Sequence, residues 1–138
     1  MIGRVHATVL FVRDLASSAA FYRDTLGFEV QHSDANSVWF GDHQILLLQR
    51  SAAAQLVGEE TLSSTGEGGR RVLLCAEVED VDEVHAALEA RGVAFVRPPT
   101  SQAWGLRTAH FADPEGNLWE IAHNIAARAE QLEAAARE

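Results

Sequence analysis

The order of apolar and polar positions along this chain repeats, and the second copy begins 66 residues after the first. Val12–Leu15 is matched by Val78–Val81, and an amphipathic stretch follows each of them. The stretches stop at Gly27 and Gly92, and in each copy one strand-like run precedes the stretch and three more follow it. This internal repeat indicates two modules that each fold in the order β-α-β-β-β.

The first copy predicts one helix between strands. Asp14 is placed to cap the helix, because its carboxylate can accept hydrogen bonds from the backbone amides of the first turn. Gly27 can adopt the left-handed conformation that commonly ends a helix. The predicted elements are a strand at 7–12, a helix at 14–26 and strands at 28–32, 38–40 and 44–49, with a hairpin turn at 41–43.

The second copy predicts the same succession. Asp80 and Glu83 have the spacing of a capping box, which indicates that a helix begins there. Pro98 and Pro99 are expected to stop the strand that precedes them, because proline cannot donate a ladder hydrogen bond. The predicted elements are a strand at 71–78, a helix at 80–91 and strands at 93–96, 105–111 and 117–123.

These elements predict a single α+β domain over residues 1–138. Module one covers about 4–50 and module two covers 70–123. The connector at 51–69 is rich in small residues and glycine, with one short helical turn expected at 52–57. An Ala-, Glu- and Arg-rich tail at 124–138 is expected to form a C-terminal helix with a thin apolar face.

Charge and cysteine content narrow the classes of function. The chain has 20 acidic and 11 basic residues, a formal net charge of −9, so nucleic acid and anionic membranes are not expected as partners. The charge favours a cationic or neutral ligand, or serves only to keep the protein soluble. Cys75 is the single cysteine, which excludes an internal disulfide and indicates the cytoplasm. The N-terminus lacks a signal-peptide pattern, and no apolar run is long enough to cross a bilayer.

Two stretches carry a resemblance to a known family. The first is Val12–Leu15 followed by Phe21–Phe28, and the second is Trp104–Arg107 followed by Asp113–Ile121. Over about residues 5–123 the chain resembles the vicinal oxygen chelate superfamily of glyoxalases, extradiol dioxygenases, and fosfomycin and bleomycin resistance proteins. The resemblance implies curled mixed sheets from paired modules around an open cup, with helices on the outer faces. It also implies a homodimer.

The same resemblance implies where a metal ion would bind. Enzymes of the superfamily usually hold a divalent metal with residues from the first and last strands of each module. The matching positions here are Ala7, Leu73, a residue near Leu47, and Glu120. Only Glu120 can donate to a cation, and a metal needs about three protein donors. No metal and no cofactor are therefore expected, and the other three positions should form an apolar patch.

Two histidines leave a metal-dependent function open. His6 lies one residue from a ligand position, so it faces the cup only if a bulge shifts the strand. His110 lies on a predicted strand and could face the cup. The alternative hypothesis is therefore a metal-dependent lyase or dioxygenase that uses Glu120 with His6 or His110.

The first hypothesis is a binder of the bleomycin-resistance type, which sequesters a drug or metabolite without metal and without catalysis. Cys75 is interpreted as a buried structural cysteine, because an apolar strand raises the thiol pKa. The expected ligand is cationic or aromatic, and an accessory module that holds a metabolite is a third possibility. Aromatic and apolar walls, with acidic groups and one arginine, make up the predicted ligand-binding set: Phe11, Trp39, Leu47, Leu73, Glu77, Trp104, Arg107 and Glu120.

Overall fold

The computed structural model describes residues 1–63 and 72–137, without the side chains of Thr61 and Ser63. The chain divides into two compact units, unit 1 at 1–69 and unit 2 at 70–138. The glycine-rich end of the predicted connector, the first residues of module two and the final residue of the predicted C-terminal helix lie outside the described residues. No helix in the described part of the chain is long and apolar enough to cross a membrane.

Unit 1 contains a four-stranded mixed sheet. The strand order is β1-β4-β3-β2, with β1 parallel to β4 and the other neighbours antiparallel. Its elements are β1 (Thr8–Val12), α1 (Leu15–Ala20) continued by a π-helical turn (Phe21–Thr25), β2 (His32–Ser33), β3 (Ser37–Phe40), a 3-10 turn (Gly41–His43), β4 (Ile45–Gln49), α2 (Arg50–Val57) and α3 (Glu59–Ser63).

Unit 2 repeats this topology. The strand order is β5-β8-β7-β6, and β5 is parallel to β8 as β1 is to β4. Its elements are β5 (Leu73–Glu77), α4 (Val81–Ala90), β6 (Phe95–Ser101), β7 (Leu106–Ala112), β8 (Leu118–Asn124) and α5 (Ile125–Ala136). Two mixed sheets in β-α-β-β-β order confirm the predicted fold class.

Each main helix begins and ends as the sequence predicts. Asp14 Oδ1 accepts a hydrogen bond from the backbone N–H of Ser17 at 3.0 Å, and Asp80 Oδ1 accepts one from Glu83 at 3.1 Å. The glycine after the first helix has a φ of +79° and the glycine after the second a φ of +91°, values in the left-handed region that side chains with a Cβ rarely adopt.

A side chain on the last strand of each sheet also holds the start of the helix. In unit 1, Gln49 Oε1 accepts from the backbone N–H of Leu15 at 3.2 Å, and its Nε2 donates to the Arg13 carbonyl at 2.8 Å. In unit 2, His123 Nδ1 accepts from the backbone N–H of Val81 at 2.8 Å. The bonds to Leu15 and Val81 satisfy backbone amides that have no partner within the helix.

Two predicted strands differ from the structure. The strand predicted at 28–32 is reduced to β2, because the Phe28 N–H bonds to the Tyr22 carbonyl at 2.8 Å and closes the helix end instead. Strand β6 continues through Pro98 and Pro99, which were expected to end it. It can do so because β6 is an edge strand, where a missing N–H can face solvent.

Each sheet has one face packed against its helix and one open face. In unit 1 the helix-packed face carries Leu10, Val12, Val38, Phe40, Ile45 and Leu47, all buried. In unit 2 it carries Phe111, Trp119 and Ile121, which are buried together with Val81 and Leu88 of α4. Since side chains alternate along a strand, the residues between them lie on the open face.

Candidate functional site

A row of four polar side chains crosses the open face of unit 2, one from each strand. In the strand register, Cys75 on β5 is opposite Glu120 on β8, Glu120 is opposite His110 on β7, and His110 is opposite Arg97 on β6. Residues directly opposite each other point to the same side of a sheet. The topology therefore brings together four chemically active residues that are distant in sequence.

The centre of the row is a pair formed by His110 and Glu120. The His110 Nε2 atom lies 2.9 Å from Glu120 Oε1, and the two side chains are 20% and 17% exposed. His110 Nδ1 is buried without a hydrogen-bond partner. A carboxylate this sheltered keeps a strong field because water screens it poorly, so it can select the charge of a ligand.

Cys75 lies at one end of the row. The residue is exposed, so the expectation of a buried structural cysteine is wrong. Partial burial of the thiol, together with the charge of Glu120 and a hydrogen bond to it, raises the pKa of Cys75. The thiol is therefore held in its protonated form, which is a poor nucleophile.

Grooves lie on both sides of the His110–Glu120 pair. One groove of about 340 Å³ has acidic and apolar walls from Cys75, Glu77, Leu106, Glu120 and Ala122. The other, of about 560 Å³, is lined by Leu73, Val96, Arg97, His110 and Leu118. Both volumes are in the range of small-molecule pockets. The pair thus separates a groove with acidic walls from a groove lined by the cationic side chain of Arg97.

Most of the predicted ligand-binding residues of unit 2 lie on its open face. Leu73, Glu77 and Glu120 each line one of the two grooves. Trp104 is 70% exposed and lies in the turn between β6 and β7, two residues before Leu106. Whether these side chains contact a ligand stays a prediction.

Arg107 lies on the opposite, helix-packed face of the same sheet. Its Nε and Nη2 atoms donate to the Asp82 carboxylate of α4 at 2.6 and 2.8 Å. The hydrogen bonds from Arg107 lower the pKa of the Asp82 carboxyl, and Asp82 in turn raises the pKa of Arg107. The guanidinium that was predicted to hold a ligand is thus engaged in tying α4 to β7.

In unit 1, the open face is mostly apolar. Trp39 is opposite Leu46 in the register, Phe11 is opposite Leu48, and Phe11 is 43% exposed. Leu47, predicted to face the cup, instead has no exposed surface and packs on the helix side. Its two neighbours occupy the open face in its place, because side chains alternate along a strand.

The residues present do not fit the metal site that the family resemblance implies. On unit 2's open face the potential donors Cys75, Glu120 and His110 come from successive strands, so the backbones of the outer two are about 10 Å apart across the strands. His6 is exposed before β1 begins. Across residues 1–63 and 72–137, no group of three or more His, Cys, Asp or Glu side chains is arranged to hold a metal ion.

The sequence pattern does not identify Arg97 as a candidate site residue. The predicted strand ended at Val96, whereas β6 contains register shifts on both sides of Arg97 that place it opposite His110. A bulge of this kind re-aims a side chain and leaves little trace in the residue pattern. The two prolines that follow were the available signal, since prolines in a strand mark edges and bulges.

Comparisons with known proteins agree with this architecture. The chain is 38% identical over 117 residues to the uncharacterized protein YraH of Bacillus subtilis, covering 81% of this chain and 91% of that protein. A structure of a protein of unknown function from Agrobacterium tumefaciens matches with 30% identity and a TM-score of 0.73, over 88% of this chain and 94% of that chain.

A second solved structure, a glyoxalase/bleomycin resistance protein/dioxygenase from Nocardioides, matches with 24% identity and a TM-score of 0.76, over 91% of this chain and 87% of that chain. The family model described as Glyoxalase/Bleomycin resistance protein/Dioxygenase superfamily matches residues 4–121. With its repeated β-α-β-β-β units and a match over most of its length, the chain belongs to the glyoxalase/bleomycin resistance protein/dioxygenase superfamily.

Proposed function

We propose that this protein binds a small cationic molecule in the acidic groove of unit 2, without a metal ion and without changing the ligand. This is the sequestering function of bleomycin-resistance-type members. The observation that carries the proposal is the position of Glu120, a sheltered carboxylate on the open face between two grooves. The molecule captured there would be kept from its target by mass action.

The charges around the acidic groove favour a cation. Glu77 and Glu120 both line it, and its described lining includes no lysine or arginine. Arg107, which follows Leu106 in the chain, lies on the other face and is bonded to Asp82. A cationic group placed between the two carboxylates would be attracted by both, and salt would screen its attraction to the partly buried Glu120 less than its attraction to Glu77.

The groove also offers apolar surface for the body of the ligand. Leu106 and Ala122 form part of its wall, and the exposed Trp104 is two residues along the chain from Leu106. An indole face attracts both aromatic rings and cations. A ligand with an ammonium group on an aromatic body would match both features of this region.

The chemistry of the row supports binding over catalysis. A protonated Cys75 thiol does not act as a nucleophile, and in the described residues no three His, Cys, Asp or Glu side chains are arranged to hold a metal ion. The competing function is a metal-dependent lyase or dioxygenase that uses His110 and Glu120. Metal analysis of the protein purified without chelator separates the two: near-stoichiometric nickel, zinc, iron or manganese would overturn the metal-free proposal.

Isothermal titration calorimetry with phenylbutylamine tests the binding proposal directly. Phenylbutanol, which has the same aromatic body without the charge, is expected to bind more weakly. Glu120→Gln should weaken the amine about tenfold, the loss typical of a hydrogen bond to a charged group. Glu130→Gln removes the same charge at an exposed position of α5 that does not line the groove, and it is the matched control. Equal affinity of the Glu120 variant and the parent for the amine would refute the proposed site.

Assembly and compartment belong to the same proposal. We infer a cytoplasmic homodimer, because the resemblance implies a dimer and the single Cys75 suits a reducing compartment. Size-exclusion chromatography with light scattering should give twice the monomer mass. A monomer at all concentrations tested would refute the dimer and would leave the binding proposal standing.

A further inference from the structure

We propose that the groove on the Arg97 side of the His110–Glu120 pair is a second subsite, which binds a carboxylate carried on an apolar chain. It deepens the binding function proposed above, because it lies on the same open face and adds a second chemical class of ligand group. The occupant is a small amphipathic carboxylate, or the carboxylate end of a longer ligand whose cationic end lies in the acidic groove.

The position of Arg97 is the first observation. Register shifts occur on both sides of it in β6, and they set it opposite His110 on the open face. In an unbroken ladder from the pair of Phe95 and Phe111, position 97 would be opposite Ala109, on the helix-packed face. The irregular strand therefore carries the guanidinium onto the face where the grooves lie.

The state of the guanidinium is the second observation. Arg107 and Arg128 of the same unit are engaged by carboxylates of α4 or of the segment before it. The Arg97 guanidinium, in contrast, makes no ion pair or hydrogen bond with residues 1–63 and 72–137. An arginine whose five side-chain donors have no partner among the described residues, in a chain with a net charge of −9, is suited to bidentate recognition of a carboxylate.

The walls of the groove define the rest of the ligand. Leu73, Val96 and Leu118 are apolar, and the first two are among the exposed large hydrophobic residues. Covering them with a hydrocarbon chain removes apolar surface from water, which favours binding in proportion to the area covered. His110 completes the polar side of the groove. The lining thus combines a cationic edge with an apolar floor, which is complementary to a fatty carboxylate.

The test uses three probes with one hydrocarbon body: octanoate, octylamine and octanamide. Isothermal titration calorimetry of the full chain should show that octanoate binds about tenfold more tightly than octanamide. Arg97→Gln should weaken octanoate about tenfold and leave octylamine unchanged. Arg97→Lys, which keeps the charge and loses the fork, should give an intermediate affinity. Arg137→Gln, at the exposed end of α5, is the charge-matched control and should bind as the parent does.

The outcomes distinguish this subsite from the proposed function. If octanoate does not bind, or if Arg97→Gln binds it as the parent does, the carboxylate subsite is refuted whatever the amine does. If octylamine is unaffected by Glu120→Gln while octanoate depends on Arg97, the acidic groove is refuted and the second subsite stands. Circular dichroism spectra that superimpose with the parent spectrum establish that each variant is folded, and Arg97 is exposed enough for this to be expected.

Discussion

Removing the acceptor that His123 offers to helix α4 should destabilise the protein by a predictable amount. His123 is buried, and its Nδ1 accepts a hydrogen bond from the backbone N–H of Val81, a residue that has no exposed surface. Phenylalanine has a similar planar ring and no acceptor. His123→Phe therefore leaves the Val81 amide buried and unpaired while changing the packed volume little.

The expected loss is about 1–3 kcal/mol, the cost of leaving one buried backbone donor unsatisfied. His123→Gln should cost less, because glutamine supplies the acceptor that Gln49 supplies at the equivalent place in unit 1. Asp80 continues to bond the amide of Glu83 in both variants, so the helix start is weakened rather than abolished. The order of stability is therefore parent, then the glutamine variant, then the phenylalanine variant.

Urea unfolding followed by circular dichroism measures the free energies of unfolding. Native-state hydrogen exchange of the Val81 amide gives a second, local readout, since each 1.4 kcal/mol corresponds to a tenfold change in an equilibrium constant. In the phenylalanine variant that amide should exchange roughly 5- to 150-fold faster. If its exchange is unchanged and the variant unfolds at the same urea concentration as the parent, the bond does not stabilise the start of α4.

Further predictions address the two helix caps. Gly27→Val should lower the free energy of unfolding, measured in urea, by about 1–2 kcal/mol or more, because the φ of +79° is unfavourable for a residue with a Cβ although no atom would clash with it. Gly3→Val is the control, and equal stability of the two variants would mean that a side chain at position 27 does not strain the backbone. The Glu83 amide, helped by Arg128, lowers the pKa of Asp80. The charge of the Asp80 carboxylate thus stabilises the fold at pH values above the ordinary aspartate pKa, and it ceases to do so as the pH falls through the lowered pKa. Asp80→Asn should be about 0.3–1 kcal/mol less stable at neutral pH. The difference should begin to shrink below about pH 4 and vanish once the pH is below the lowered pKa of Asp80, and a pH-independent difference would contradict this.

The repeat, the caps and the strand order could be predicted because they depend on local patterns. Asp14 and Asp80 precede amphipathic stretches that end at glycine, and each feature has one dominant structural meaning. Which face of the sheet a strand residue occupies was harder to predict where apolar and polar residues do not alternate. In β4, four of five residues are apolar, so nothing in the sequence shows that Leu47 is buried and its neighbours are open.

Long-range pairing was the second source of error. Arg107 looked available because its partner, Asp82, is 25 residues away and on a helix. Arg97 was not predicted because the bulges in β6 decide which face it occupies, and the pattern of residues in a single sequence does not show how many extra residues a bulged strand contains. Both errors concern which face an arginine occupies, and both change the predicted charge of the site.

The two units show why site and scaffold could be predicted to such different extents. Both keep an aspartate cap, a last-strand side chain bonded to the first helix amide, and the same strand order. These contacts lie at the helix start and on the helix-packed face, where a change costs stability. The open faces carry none of them, so one could become apolar and the other could acquire Glu120 and His110. Arg97→Gln, at the exposed end of the polar row, should therefore alter binding while leaving the free energy of unfolding within about 0.5 kcal/mol of the parent.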